Sequence, residues 1–199
     1  MAKTADNSSE DIRLQILEAA NVRFQQFGYG KTTMAEIAKD CGMSASNLYR
    51  FFENKLDIGA ALAQRCLSEC ESRLRCTLDA SLSATSQFET FVLEILRHTH
   101  DQWSKLPRLN EMVQTTISER PDIVEHHRQT KQALLIQIIE QGIARGEFDV
   151  ADPKQVSETI LVSITVLSVP MFMHLHSLEE FEQIARNIAH LILKGLIKC

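Results

Sequence analysis

Turns are scarce in this sequence. Seven glycines and four prolines stand among 199 residues, well under the ~12% that average usage of these two residues would give. A chain this long with so few turn-formers must be built from long elements. That favours helices over many short strands and excludes collagen-like and low-complexity classes. Hydrophobic residues make up 44% and charged residues 24%, a globular balance that argues against wholesale disorder. The length admits one large domain or two small ones.

The most apolar run, Ile160 to Met173, contains Ser163, Thr165 and Ser168 and is interrupted by Pro170. It falls short of the ~18–20 residues a bilayer span requires and reads as a buried helix. The N-terminal MAKTADNSSEDIR lacks the apolar segment of a signal peptide. Five cysteines (Cys41, Cys66, Cys70, Cys76 and Cys199) make no even framework. Without an export signal they are expected to be reduced thiols in a cytoplasm, with no membrane association.

Hydrophobic periodicity and caps divide the chain into about nine helices. Residues 1–8 are polar and read as frayed. Ser9 is expected to cap a first helix that ends at Phe27, with Ile12, Ile16, Leu17, Ala20, Phe24 and Phe27 on one buried face. Gly28 supplies a left-handed stop. Thr33 and Glu36 form a capping box, Gly42 ends the short helix they open, and Ser44 caps the next, Ala45 to Phe52. Asn54 and Asp57 open a long helix from Lys55 to about Ala80, and residues 81–86 are the clearest break. Further helices follow over Phe88–Ser104, between Pro107 and Pro121, and over Asp122–Arg145. After a turn at 145–152, Asp152, Pro153 and Gln155 start a helix of about 153–174. Ser177 and Glu180 start the last, 178–198.

Two short helices joined by a turn containing Gly42, within TMAEIAKDCGMSASNLYRFF at residues 33–52, are the helix-turn-helix plan. Ala38 is the small contact residue and Leu48 the core apolar residue. The second helix can enter a major groove with its N-terminal residues at base edges, and the helix starts at Thr33 and Ser44 are candidate phosphate seats. Ser44, Ser46 and Asn47 are short hydrogen-bonding side chains suited to close approach, with Tyr49 and Arg50 beside them and Lys55 beginning the next helix.

Thr33, Ile37, Ala38, Gly42, Ser44, Leu48, Tyr49, Phe52 and Lys55, preceded by Phe27-Gly28-Tyr29, resemble the DNA-binding domain of the tetracycline-repressor-like (TetR) family of bacterial regulators over roughly residues 10–57. Farther on, only the helical layout, the length and the Arg145–Phe148 turn are similar. The resemblance implies an all-α protein with a three-helix DNA-binding domain over 9–54 and a larger effector-binding and dimerisation domain over 55–199. It implies phosphate contacts from Thr33, Tyr49 and Lys55, and a groove-facing helix start at Ser44, Ala45, Ser46 and Asn47. Arg50 joins them as a candidate. Phe51 departs from the family, where histidine is common. The partners implied are a double-stranded operator with an inverted repeat, a small-molecule effector, and a second copy of the chain paired through the last two helices. The role this resemblance implies is that of a repressor released from DNA by its effector, through a bias on the long fourth helix.

Charge sets a constraint on that reading. The chain carries a net −5. Residues 1–58 hold seven Lys/Arg against eight Asp/Glu, so the strongly basic footprint of nucleic-acid binders is absent. DNA binding has to rest on the placement of a few groups. The other reading is a protein-interaction module that kept the helix-turn-helix fold without DNA binding. An enzyme is not expected, because there is no nucleophile elbow, Gly-rich phosphate loop, HExxH motif or paired carboxylates at acid/base spacing.

For the effector, the candidate lining residues are Leu62, Cys66, Ile95, Thr99, Trp103, Met112, Thr116, Leu167 and Met171, few of them polar, so a mostly apolar ligand is preferred. No cofactor is implied. The pairs His98/His100, His126/His127 and His174/His176 lack the i,i+3 or i,i+4 spacing of helical metal ligands, and read as solvated helix-end residues. Cys66 and Cys70 stand four apart on one helix face, a spacing geometrically poor for a disulfide within a helix, and read as structural thiols.

Overall fold

A computed structural model describes residues 3–105 and 110–197. Pro107, expected to bracket the sixth helix, and Cys199 lie outside the described residues. Among the described residues ten α-helices run in order: α1 Lys3–Phe27, α2 Met34–Asp40, α3 Ala45–Leu48, α4 Lys55–Arg75, α5 Ala84–Lys105, α6 Asn110–Glu119, α7 Pro121–Ala144, α8 Pro153–Ser163, α9 Thr165–Ser168 and α10 Leu178–Leu196, with a 3-10 turn at Pro170–Phe172. The described residues contain no strand, only an isolated antiparallel bridge between Phe148 and Ile197.

The local signals act where they are read. Asn54 Oδ1 accepts from the Asp57 amide at 2.9 Å, and Asp152 Oδ1 from that of Gln155 at 3.0 Å, with Pro153 in the first turn. Ser177 and Glu180 make both halves of a capping box. Three boundaries here differ from the sequence reading. Helix α1 starts at Lys3 rather than after a cap at Ser9; no glycine or proline stands before that serine, so helical propagation continues through it. Helix α4 stops at Arg75, short of Ala80, because Asp79 Oδ1 accepts from both the amide and hydroxyl of Ser81, and this local bonding competes with the helix. Helix α5 starts at Ala84, before Phe88, since Ser83 Oγ accepts from the Ser86 amide.

The expected helix over 153–174 is divided. Thr165 turns its hydroxyl back to the Val162 carbonyl at 2.7 Å, and Pro170 has no amide hydrogen to continue the ladder. The chain therefore passes from α8 through α9 into the 3-10 turn. Its apolar face is also not buried all round: Ile160, Ile164, Leu167 and Met173 are buried, whereas Val162 is 69% exposed.

The chain packs as two compact units. The first comprises residues 1–66 and 106–124, and its core joins Ile16, Ala20 and Phe24 of α1 to Ile37, Leu48, Ile58, Leu62 and Met112. Phe27, expected on the buried face of α1, is 54% exposed and lies under the Arg23 guanidinium at 5.1 Å. The second unit comprises residues 67–105 and 125–199. There Phe88, Phe91, Ile95 and Leu96 of α5 meet Leu135, Ile138 and Ile139 of α7 and the four-residue ladder Phe181, Ala185, Ala189, Leu193 of α10. Arg97 on α5 reaches Glu182 on α10 at 2.7 Å.

Phe181 is 1% exposed and takes the edge of the His176 ring at 5.1 Å. Phe181→Ala is expected to lower stability by about 3–5 kcal/mol through lost burial and a residual cavity. Urea unfolding monitored by circular dichroism reads this as a lower midpoint at unchanged slope. A midpoint within error of the parent would contradict this packing account.

Candidate nucleic-acid interface and effector-binding residues

Helices α2 and α3 are held by capping at both starts and by a glycine turn between them. Thr33 Oγ1 accepts from the Glu36 amide at 3.3 Å, while Glu36 Oε2 accepts from the Thr33 amide at 2.9 Å. After Cys41, Gly42 sits at φ +66°. Its amide bonds the Lys39 carbonyl, and that of Met43 bonds the Ala38 carbonyl at 2.9 Å, the double closure of a Schellman motif. Ser44 Oγ accepts from the Asn47 amide at 3.2 Å.

The recognition helix is shorter than the expected Ala45–Phe52. Regular α-helix ends at Leu48. Beyond it, the amides of Arg50 and Phe51 bond three residues back, to Asn47 and Leu48, which tightens the turn without unwinding it.

Helix α1 is riveted to this pair. Arg23 forks onto Asp40, with Nη2 to Oδ1 at 3.1 Å, and reaches Glu36 at 3.1 Å. The pairing with Arg23, first through the hydrogen bond, keeps the Asp40 carboxyl below its ordinary range. Arg13 donates to the Phe51 carbonyl at 2.6 Å and lies 4.2 Å above the Phe52 ring.

Of the expected DNA contacts, Thr33, Ser44, Ser46, Tyr49 and Arg50 are exposed, and Ala45 and Asn47 are half-buried. Lys55 turns inward instead. Its Nζ donates to the carbonyls of Tyr29 at 2.7 Å, Thr32 at 2.9 Å and Gly30 at 3.3 Å, 4.5 Å from the Tyr29 ring centre. Three ammonium hydrogens meet three carbonyls, so the group is occupied in holding the α1–α2 loop. With Arg13, Arg23 and Lys55 engaged, Lys31, Lys39 and Arg50 remain exposed and make no ion pair among the described residues. Lys31 and Lys39 were not singled out in the sequence, where an engaged cation and an available one look the same.

The nominated effector residues divide between the two units. Leu62 and Met112 lie in the first core, with Thr116 buried on α6 and Cys66 half-buried. Ile95 and Leu167 lie in the second core, with Thr99 buried and bonded to the Ile95 carbonyl, and Trp103 packed at the edge. Met171 is 54% exposed. An open cleft of about 390 Å³ on the first unit, beside Arg13, Phe51, Asp57, Gln64 and Arg120, includes none of the nine.

Two histidines read as solvated are buried. His98 and His127 lie inside the second unit, and His127 Nδ1 stands 2.8 Å from Glu71 Oε1. Sequence spacing could not reveal this pairing, whose partners are 56 residues apart. Burial first, and then Lys131, hold the His127 imidazole down to about 4, against the opposing pull of Glu71. Burial also lowers Lys131 and His98. Cys41, Cys66, Cys70 and Cys76 are thiols, and no group of three His, Cys, Asp or Glu among the described residues is placed to hold a metal.

The model of the bacterial regulatory proteins of the tetR family matches residues 16–62, and that of the tetracyclin repressor-like C-terminal domain matches residues 84–189. The chain belongs to the TetR family. It is 25% identical over 190 residues to the HTH-type transcriptional regulator YhgD of Bacillus subtilis (strain 168), covering 94% of this chain and 98% of that one. It is 23% identical over 155 residues to the HTH-type transcriptional repressor KstR2 of Mycolicibacterium smegmatis, 74% and 73% of the two chains. Its fold matches a TetR-family regulator from Mesorhizobium loti MAFF303099 with a TM-score of 0.72 at 17% identity, over 96% and 98% of the chains. The protein is thus a helix-turn-helix transcriptional regulator, in a family of regulators rather than enzymes. No helix among the described residues is long and apolar enough to cross a membrane.

A TetR-family regulator with this buried histidine should lose stability in acid. The folded His127 binds its proton only near pH 4, whereas the unfolded residue binds it near pH ~6.5, so the unfolded state holds more protons in between. Stability is complete above the upper value and falls as pH drops through the window, by up to about 3 kcal/mol. His127→Gln should flatten that slope in urea titrations at successive pH values. Equal slopes in both proteins would remove His127 as the cause.

Proposed function

We propose that this regulator is a cytoplasmic homodimeric repressor that binds an inverted-repeat operator through α3 and leaves it when a small, mostly apolar molecule binds the larger unit. The observation that carries the DNA assignment is the set of exposed side chains Ser44, Ser46, Tyr49 and Arg50 along a short helix and its closing turn, whose start is capped by Ser44. In this reading Ser44, Ala45, Ser46 and Asn47 face the groove. Thr33, Tyr49 and Arg50 meet phosphates together with Lys31 and Lys39, and Lys55 contributes by holding the loop. A bound duplex needs two such helices about one turn apart, which a two-fold dimer supplies.

The dimer assignment is supported by apolar side chains left on the last helices: Val162 on α8 and Leu191 on α10 are each 69% exposed. A second copy seated on these two helices would cover them. The effector assignment draws on the apolar character of Ile95, Trp103 and Leu167 and on the family's use of its C-terminal domain. Release follows if the effector-bound state changes the separation of the two recognition helices; a coupling of ~1–3 kcal/mol changes operator affinity ~5–150-fold.

Selection of bound fragments from the sheared source genome, near ~100 mM salt where the electrostatic term does not swamp specificity, tests the assignment. Enriched sites sharing an inverted repeat are the expected result; no enrichment from a folded, dimeric preparation would leave the interaction-module reading in its place. On such a site, three available cations per subunit give a slope of log affinity against log salt of about −5 for the dimer. Arg50→Ala should make it shallower by about two. Asn47→Ala should relax preference at particular base pairs by about 1–3 kcal/mol, whereas an equal loss on all sequences would show that Asn47 reads no base.

A further inference from the structure

We propose that Glu111 on α6 is a positioning residue for DNA binding, which orients the α1–α2 loop so that Lys31 meets phosphate. The inference rests on reading the α2–α3 unit as the DNA interface. The Gly30 amide donates to Glu111 Oε2 at 3.0 Å, across 81 residues of chain. The carbonyl of the same peptide group, that of Tyr29, accepts from Lys55 Nζ at 2.7 Å. A peptide unit is planar with its N–H and C=O opposed, so holding the first from α6 and the second from α4 fixes the line along which it points. The next peptide, between Gly30 and Lys31, is held through its carbonyl by the same ammonium at 3.3 Å. Lys31 thus leaves a backbone gripped from both sides.

Helix α6 is itself seated against these elements. A Cβ at Gly59 of α4 would meet Met112 Cγ at 3.3 Å, Tyr29 Cε2 at 3.4 Å and Thr116 Oγ1 at 3.7 Å, so α6 makes its close approach at a glycine. Gly30 has no positive φ to require glycine. What a larger residue would meet is the carboxylate: a Cβ there would stand 2.5 Å from Glu111 Oε1, so that flexible side chain would have to move aside. Glu111 is exposed, so losing its bond is a small change to overall stability and a direct change to loop position.

A carboxylate near Lys31 would, as a charge alone, oppose phosphate binding, and this separates positioning from electrostatics. Operator affinity is measured by fluorescence anisotropy on the fragment selected above, for the full-length dimer and for Glu111→Ala, Glu111→Gln, Gly30→Ala and the Gly30→Ala/Glu111→Ala double variant. Thermal unfolding checks that each is folded. Glu111→Ala is expected to weaken binding about fivefold or more and to make the salt slope shallower by about two, as one phosphate contact leaves each subunit. Glu111→Gln keeps the acceptor oxygen and should bind at least as tightly as the parent. Gly30→Ala displaces the carboxylate and should match Glu111→Ala, with the double variant no weaker than either. Unchanged or tighter binding by Glu111→Ala, or additive losses in the double variant, would overturn the proposal while leaving the DNA assignment intact. Failure of the parent protein itself to bind would overturn both.

Discussion

The ammonium of Lys55 is the interaction on which the DNA-binding unit depends. Helices α1 and α2 meet at a loop whose carbonyls at Tyr29, Gly30 and Thr32 all point to one spot, and Lys55 fills it. Without a cation there, the Tyr29 carbonyl would keep only its 3.3 Å bond from the Thr32 amide, the carbonyls of Gly30 and Thr32 would lose this donor, and the loop would be drawn open toward water. Because Lys55 opens α4, the loop becomes part of that helix's start. Arg23 and Arg13 repeat the device on the other side, tying α1 to α2 and to the end of the recognition turn. Three of the unit's few cations are thus structural, and helices too short to be stable in isolation are kept in register by them.

The larger unit is organised differently. Its α5, α7 and α10 helices interlock through aliphatic and aromatic residues, and α10 owes its fit to the alanines 185 and 189 between Phe181 and Leu193. Into this apolar setting the fold admits His98, His127 and Lys131, with Glu71 as a partner. Burial keeps these groups from charging freely, so the neutral imidazole of His127 is the form the packed state favours. A core of that composition is stable at neutral pH and less so in acid.

What could be read from sequence follows the range of the forces involved. The caps at Thr33, Ser44, Asn54, Asp152 and Ser177 were legible because donor and acceptor lie three residues apart, and the Gly42 turn because only its backbone conformation matters. The helix-turn-helix layout and the all-α class followed from them. The break after Arg75 was misplaced because the bonding of Asp79 to Ser81 is as local as a cap yet works against the helix. The split after Ser163 required weighing a threonine's back-bond against apolar periodicity. The inward turn of Lys55 and the pairing of His127 with Glu71 were out of reach, since their partners are 23 to 26 and 56 residues away. The nominated effector residues came from an apolar stripe rule that cannot distinguish a core from a pocket, and the cores of two separate units claim Leu62, Met112, Ile95 and Leu167.

The shortage of available cations also bears on how such a regulator can be controlled. A strongly basic domain stays near DNA by bulk attraction, and small displacements of its contacts matter little. On the DNA interface proposed above, Lys31, Lys39 and Arg50 would have to do with position what a basic surface does with charge. Each phosphate lost is a large share of the electrostatic term. Lys31 stands next to a loop whose peptide groups are held by α4 on one side and α6 on the other. A shift of either helix by a fraction of a hydrogen-bond length then changes the contact directly. A regulator whose electrostatic term rests on few groups is, for that reason, the easier one to switch.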